Sequence, residues 1–168
     1  DFQQPFCAVL FSTTSHHPFI IPEKYKNTFR EKTPHYNSVR YADYSLQRFF
    51  ETASKMSWFN NTLFIITADH TGKSYSRIYQ NSVGDYKIPI LFYKADSSLK
   101  NIFEKPFQQI DILPSVMDYL NFDKNYFSFG KSIFDTNKKR VAYDLSSGIY
   151  QILDDEFVLQ FDGEKSIA

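Results

Sequence analysis

Residues 62–72, which read TLFIITADHTG, decide the fold of this chain. The apolar run at residues 63–66 ends in two β-branched residues and predicts a strand buried on both faces of a parallel sheet. Asp69 and His70 follow soon after that strand. Ligands of open α/β sheets bind beyond the carboxyl ends of the strands, so the pair lies where a ligand is expected. Carboxylate oxygen and imidazole nitrogen together suit a divalent ion such as Zn²⁺ or Mn²⁺.

The sequence before this stretch predicts a strand and then a helix. Residues 5–11 form an apolar run, which predicts an earlier buried strand with Cys7 as an inert, buried thiol. Apolar residues then recur at alternating spacings of three and four, at Val39, Ala42, Leu46, Phe49, Ala53 and Met56. This stripe predicts a helix from about His35. A helix between two buried strands predicts a right-handed βαβ unit.

The sequence after the Asp-His pair predicts a loop, a strand, a helix and a small meander. Residues 73–87 predict a loop with a short helix, and residues 88–93 predict a strand. Asp111 is the expected cap of a helix that runs through Leu120. Its predicted buried side consists of Ile112, Leu113, Val116 and Leu120. Short runs at 140–145, 148–153 and 157–161 predict an antiparallel meander.

These segments predict an α/β fold with two parts. Residues 1–136 would form the mostly parallel α/β part, and residues 137–168 a small antiparallel β segment of the same domain. The chain begins at Asp1, without Met, and we expect it to be a piece of a longer protein.

Composition excludes several classes of function. Nineteen basic and nineteen acidic residues cancel, which removes the electrostatic argument for a nucleic acid partner. The 18 Phe and 12 Tyr, with only 5 Gly, predict a densely packed globule. A single cysteine excludes an internal disulfide. No apolar segment approaches the roughly 20 residues that span a bilayer.

Six segments, in order, resemble one family. They are residues 15–19 (SHHPF), 37–46, 61–70, 88–93, 109–114 and 129–134. Together they make the chain similar to the C-terminal part of the sulfatase and alkaline-phosphatase superfamily. The branch it resembles most is the lipoteichoic acid synthase-like phosphoglycerol transferases. The resemblance implies the C-terminal portion of an alkaline-phosphatase-like three-layer sandwich, with a mostly parallel sheet and a small antiparallel sheet.

The resemblance also implies a metal-dependent transfer of a phosphodiester head group. Such enzymes bind one divalent ion through an upstream acidic residue, a nucleophilic Thr and an Asp-His pair, which here is Asp69 and His70. We expect Mn²⁺, ahead of Zn²⁺, Mg²⁺ or Ca²⁺. His16, in the His-x-Pro segment, would contact the substrate phosphate or the leaving oxygen. The substrate would be an anionic lipid or glycan head group.

The segment that carries the nucleophile in this family has no counterpart here. Thr67 and Thr71 flank the pair but occupy the wrong part of the motif. No catalytic residue is therefore assigned to this chain, and by itself it should be inactive. The whole protein would be held in a bacterial cell membrane through a missing N-terminal region, with this domain on the outer side. Without its upstream strands, the fragment would leave sheet edges unpaired and self-associate.

Three alternatives stay open. The parent protein would be a sulfatase or a phosphoethanolamine transferase of the same superfamily, or a non-catalytic binding domain on that fold. Lys73 and Arg77 follow the pair and would either attract an anionic head group or form a solvated loop.

Overall fold

The chain contains two helices of eight or more residues and five short strands among the residues described. A computed structural model describes residues 5–72, 74–137 and 139–168. The elements are α1 (Pro34–Ala53), β1 (Phe64–Thr67), β2 (Ile90–Tyr93), α2 (Ile112–Tyr119), β3 (Ala142–Ser146), β4 (Ile149–Leu153) and β5 (Val158–Phe161). Short 3₁₀ turns lie at Glu23–Tyr25, Phe59–Asn61, Arg77–Tyr79, Gly84–Tyr86 and Gln109–Asp111.

These elements belong to two compact units. The N-terminal unit comprises Asp1–Phe64 and Lys94–Ser98, and the C-terminal unit comprises Ile65–Tyr93 and Leu99–Ala168. The sequence predicts a boundary at residue 136, between the α/β part and the antiparallel segment of one domain. That boundary does not coincide with the division into compact units, and it stays a prediction.

Helix α1 of the N-terminal unit confirms the helix predicted from the apolar stripe. The hydroxyl oxygen of Thr33 accepts a hydrogen bond from the Tyr36 backbone N–H at 3.3 Å, which satisfies one of the free donors at the helix start. Pro34 occupies the first turn, where a missing N–H costs nothing. At the other end, Ala53 is buried.

Aromatic side chains form the core of this unit. The Phe64 ring centroid lies 5.1 Å from that of Phe50, 5.3 Å from that of Phe59 and 6.3 Å from that of Trp58. Phe59 is only 8% exposed. The cluster therefore ties the end of α1 to the start of β1, as the aromatic content of the sequence suggests.

The prediction of a buried strand at residues 5–11 is wrong. This segment has no assigned strand, and Val9, Leu10 and Phe11 are 88, 81 and 73% exposed. Cys7, predicted to be buried, is also exposed. Only its start is packed, where the Phe6 ring centroid lies 5.6 Å from that of Trp58 and Phe6 is half-buried. The predicted βαβ unit consequently lacks its first strand.

Strands β1 and β2 are hydrogen-bonded neighbours in a two-stranded sheet. Residues 64–66 of β1 are half-buried and Thr67 is exposed, so the strand is less buried than its apolar sequence predicts. The Thr67 hydroxyl donates to the Pro89 carbonyl at 3.0 Å, which holds the end of β1 to the start of β2.

A buried polar network holds α2 in the C-terminal unit. Asp111 is 6% exposed and Arg140 is 5% exposed, and the Arg140 Nη1 atom lies 3.5 Å from Asp111 Oδ2. Asp111 Oδ2 also accepts the Gln108 N–H at 2.9 Å, and Asp111 Oδ1 accepts the Lys131 N–H at 2.7 Å. The fully buried Ser115 donates to the Asp111 carbonyl at 2.6 Å and accepts from the Ile133 N–H at 2.9 Å. The network joins α2 to residues 131–133 and to Arg140.

This network corrects two details of the predicted helix. The Asp111 side chain caps the 3₁₀ turn before α2 and not α2 itself. Leu113 and Leu120, predicted to be buried, are 45 and 62% exposed. Pro114 and Ser115 are the buried residues of α2, while the predicted Ile112 and Val116 are half-buried.

Gly130 is required where the segment after α2 passes the start of this helix. A Cβ atom at Gly130 would lie 2.1 Å from the Ile110 carbonyl oxygen, which is closer than any real contact. Only glycine therefore permits the approach that brings the Lys131 N–H to Asp111.

The C-terminal meander is confirmed as an antiparallel sheet of order β3-β4-β5. One face carries the cross-strand neighbours Tyr143, Leu145, Tyr150, Ile152, Leu159 and Phe161, all of them exposed. The other face is mixed and carries a polar row of Asp144, Gln151 and Gln160 between apolar neighbours. There Gln151 is buried, donates to the Ser82 carbonyl at 3.0 Å and accepts from Gln160 Nε2 at 2.8 Å. The sheet thus has an apolar outer face and a hydrogen-bonded inner face.

We predict that Asp111→Ala lowers the free energy of unfolding by about 3–5 kcal/mol, because it leaves the buried Arg140 guanidinium without its anion. Urea unfolding followed by circular dichroism measures the change. The matched control is Asp123→Ala, since Asp123 is exposed and its ion pair, at 3.6 Å, is with the exposed Lys124. Its unfolding free energy should change by less than about 0.5 kcal/mol. Equal losses in the two variants would contradict a central role for Asp111.

We also predict that Asp154→Asn reduces the acid sensitivity of the C-terminal sheet. The Lys139 ammonium at 2.9 Å and the N–H groups of Glu156 and Phe157 hold the pKa of Asp154 well below its usual range. A depressed pKa contributes stability above the unfolded pKa of about 3.9, and this stability is lost as the pH falls. The difference in thermal midpoint between wild type and variant should therefore be largest at pH 7 and shrink below about pH 4. Asp155→Asn, at an exposed neighbouring position, is the control and should give a difference that does not vary in this way.

Candidate metal centre

Asp69 and His70 lie directly beyond the carboxyl end of β1, where the sequence predicts them. Asp69 Oδ1 accepts the His70 backbone N–H at 2.9 Å, which fixes the carboxylate against its own loop. The other oxygen, Asp69 Oδ2, lies 3.6 Å from His70 Nε2. The side chains are 57% exposed for Asp69 and 73% for His70, so both donor atoms are open to solvent.

The His70 ring is held in one tautomer. His70 Nδ1 lies 2.7 Å from the Thr71 carbonyl oxygen, which can only accept, so Nδ1 carries the proton. In the neutral ring the lone pair is then on Nε2, which lies 3.6 Å from Asp69 Oδ2. The Thr71 hydroxyl in turn donates to the Asp85 carbonyl, which anchors the loop that orients the ring. A backbone carbonyl on the second ring nitrogen is the usual support of a metal-binding histidine.

The spacing of the two donor atoms fits a shared divalent ion. Two ligands at about 2.1 Å from one ion, at a tetrahedral angle, are separated by about 3.4 Å. The separation of 3.6 Å between Asp69 Oδ2 and His70 Nε2 is close to this value. A carboxylate oxygen with a neutral imidazole nitrogen suits Zn²⁺ or Mn²⁺. Asp69 and His70 can therefore provide two ligands without rearrangement.

The pair is not a complete metal site. Within residues 5–72, 74–137 and 139–168, no group of three or more His, Cys, Asp or Glu side chains is placed to hold an ion. A protein zinc site takes at least three side-chain ligands, so further ligands must join these two.

Gln109 is a residue of this corner that the sequence did not single out. Its Nε2 atom donates to the Ala68 carbonyl at 2.8 Å and to the Asp69 carbonyl at 2.9 Å. Gln109 begins the 3₁₀ turn that ends at the buried Asp111. The sequence placed Gln109 in one of the six family-like segments, but nothing local indicated contacts with a loop 40 residues away.

His16 lies in the N-terminal unit and is described there by itself. A turn holds it, with the His16 N–H on the Thr13 carbonyl at 3.0 Å and the Phe19 N–H on the His16 carbonyl at 2.8 Å. His16 Nδ1 lies 2.8 Å from the His17 carbonyl, so Nδ1 carries the proton and Nε2 is left available. His16 also borders an open cavity of about 500 Å³. The structure brings Asp69 together with His70, and the role predicted for His16 stays a prediction.

Four other polar residues close to the pair in sequence come into question as parts of the site, two threonines, an arginine and a lysine. Both threonines of the corner donate their hydroxyls to carbonyl groups, Thr67 to Pro89 and Thr71 to Asp85. Arg77 begins a 3₁₀ turn and is exposed. Lys73 lies outside the described residues. Neither α1 nor any other helix within the described part of the chain has the length and hydropathy needed to cross a membrane.

Comparison with solved structures confirms the predicted fold class. The chain is similar to a protein of the alkaline phosphatase superfamily from Vibrio parahaemolyticus, with a TM-score of 0.69 and 24% sequence identity. The match covers 93% of this chain and 39% of that one.

Comparison with curated proteins confirms the predicted resemblance to lipoteichoic acid synthases. The chain is 24% identical to lipoteichoic acid synthase 1 of Bacillus subtilis over 151 residues, which is 79% of this chain. It is 23% identical to the lipoteichoic acid synthase of Staphylococcus aureus over 158 residues, 83% of this chain. The matches span about a quarter of the length of these relatives, 24% in each case. The sequence pattern of the sulfatase family matches residues 1–122, which is most of the chain, and the chain therefore belongs to the sulfatase family.

Proposed function

We propose that the protein containing this chain is a metal-dependent transferase of phosphoglycerol or a related phosphodiester head group. The observation that carries the proposal is the geometry of Asp69 and His70, whose donor atoms lie 3.6 Å apart beyond the end of a strand. Their lone pairs are oriented by the chain's own hydrogen bonds. Similarity to two lipoteichoic acid synthases supports the choice of a phosphoglycerol group.

In this proposal Asp69 and His70 supply two ligands to one divalent ion, for which Mn²⁺ is the first choice and Zn²⁺, Mg²⁺ and Ca²⁺ are the others. When bound, the ion would stabilise negative charge on the phosphoryl oxygens and lower the pKa of a nucleophilic hydroxyl. The nucleophilic Thr and an acidic third ligand would come from a segment outside this chain. This chain alone would then be inactive, in keeping with its match to about a quarter of its relatives' length.

His16 would act on the substrate. Its Nδ1 atom is engaged with the His17 carbonyl, so Nε2 is the nitrogen that would face a substrate oxygen. The protonated ring would donate to a phosphate oxygen or to the leaving oxygen of the head group. The substrate would be an anionic lipid or glycan, reached on the outer side of a bacterial cell membrane.

The match to the sulfatase family supports a second candidate function, the hydrolysis of sulfate esters. Such an enzyme would use the same Asp69 and His70 ligands but would cleave sulfate esters and leave phosphodiesters intact. Assays with both kinds of ester on one preparation separate the two functions.

We predict that the full-length protein binds one Mn²⁺ per chain and that Asp69→Ala/His70→Ala abolishes this binding together with phosphodiester cleavage. Removing both donor atoms leaves the ion without the two ligands that this chain provides. Titration calorimetry measures binding, and release of a glycerophosphoryl group measures cleavage. Asp155→Ala removes an exposed carboxylate elsewhere and should change neither. Unaltered Mn²⁺ binding in the double variant would refute the metal role of the pair.

We predict that His16→Gln lowers kcat/KM for a glycerophosphoryl lipid by about 100-fold or more, with Mn²⁺ affinity unchanged, because His16 acts on substrate and not on the ion. Its matched control is His17→Gln, which keeps the backbone carbonyl that orients His16 and should retain activity. If His16 protonates the leaving oxygen, the defect should shrink on a nitrophenyl phosphodiester, whose leaving group needs no proton. Full activity of His16→Gln on the lipid substrate would refute the assignment.

A further inference from the structure

We propose that Gln109 is a positioning residue that sets the geometry of Asp69 and His70 for metal binding. This inference rests on the proposed function, since it assigns to Gln109 an effect on metal affinity. The hydrogen bonds of Gln109 go to backbone carbonyls and not to the two donor atoms. Gln109 acts through the backbone on either side of Asp69.

The two hydrogen bonds of Gln109 fix the backbone conformation of Asp69. The Ala68 carbonyl belongs to the peptide plane before the Asp69 Cα atom, and the Asp69 carbonyl to the plane after it. Gln109 Nε2 binds both oxygens, at 2.8 and 2.9 Å, and uses one of its two protons for each. Because the angle between these planes is set by φ and ψ of Asp69, holding both planes also fixes the direction in which the carboxylate leaves the chain.

The peptide plane after Asp69 also contains the backbone N–H of His70. This N–H donates to Asp69 Oδ1 at 2.9 Å, so the orientation of this peptide sets which carboxylate oxygen is left for the ion. Asp69 Oδ2 then faces His70 Nε2 at 3.6 Å. Loss of the Gln109 bonds would free the peptide and let both donors depart from this spacing.

Gln109 is itself held at a rigid position. It starts the 3₁₀ turn Gln109–Asp111. The Asp111 carboxylate at the end of this turn accepts the N–H of Gln108, the residue before Gln109, at 2.9 Å. Asp111 is fixed in turn by the Lys131 N–H and by the buried Arg140. The exposed loop that carries the metal ligands thereby gains an anchor in the most buried part of the C-terminal unit.

Gln108 offers a matched comparison within the same turn. Its Nε2 atom also donates to a backbone carbonyl, that of Tyr143 at 2.8 Å, but this carbonyl belongs to β3 and not to the metal loop. The two glutamines therefore make the same kind of bond from adjacent positions, and only one of these bonds reaches the candidate site.

The test measures Mn²⁺ affinity in the full-length protein by titration calorimetry, with the metal alone, for wild type, Gln109→Met and Gln108→Met. Methionine keeps the length of glutamine and removes the donors without adding charge. Gln109→Met should bind Mn²⁺ about 10- to 100-fold more weakly, the usual loss for a group that supports metal ligands. Gln108→Met should stay within about twofold of wild type, because its bond does not reach the ligands. If Gln109→Met does not fold, Gln109→Asn replaces it, since the shorter amide cannot span both carbonyls.

Each outcome of this experiment either supports or overturns the positioning role of Gln109. A loss confined to the Gln109 variant supports the positioning role. Wild-type affinity in that variant overturns it, while the proposed function stands if Asp69→Ala/His70→Ala still abolishes binding. Equal losses in the Gln108 and Gln109 variants also overturn it, because they would mark a general loosening of the turn. Absence of Mn²⁺ binding in the wild type overturns both the positioning role and the proposed function.

Discussion

The buried ion pair between Asp111 and Arg140 is the interaction on which the C-terminal unit depends. Arg140 lies over the Phe103 ring at 5.0 Å and donates to the Ser132 carbonyl, while Asp111 binds two backbone N–H groups. Such a pair is costly to desolvate and is stable only when its remaining hydrogen-bonding capacity is satisfied. The chain meets this condition with backbone groups, so the pair also dictates where the backbone must run. Helix α2, the segment after Gly130 and the turn that carries Gln109 all follow from it.

Local patterns in the sequence account for much of this architecture. The apolar stripe of α1, the run that forms β1 and the alternation of β3 to β5 are periodicities within short windows, and they predict the elements observed. The placement of Asp69 and His70 follows equally from a local fact, the end of a strand. The strand predicted at residues 5–11 is absent, because an apolar run forms a strand only where a partner strand pairs with it.

Interactions between distant segments could not be predicted in this way. Nothing near Gln109 in the sequence shows that its amide reaches the Ala68 and Asp69 carbonyls, and a glutamine at the start of a turn has many other uses. The spacing of Leu113 and Leu120 assigns them to the helix core, yet both are exposed, whereas the polar Ser115 is fully buried. Periodicity identifies a helix face but not the chemistry of the surface against which that face packs.

Cys7 has a consequence of a different kind. It is the single cysteine of the sequence, it is exposed, and it lies within the solvent-exposed apolar run at residues 5–11. Thiol-selective reagents therefore have one target in this chain, and any spectroscopic label attached to it reports from that run alone. If another strand pairs with residues 5–11, the label moves from water into an apolar contact, and its emission records the pairing directly.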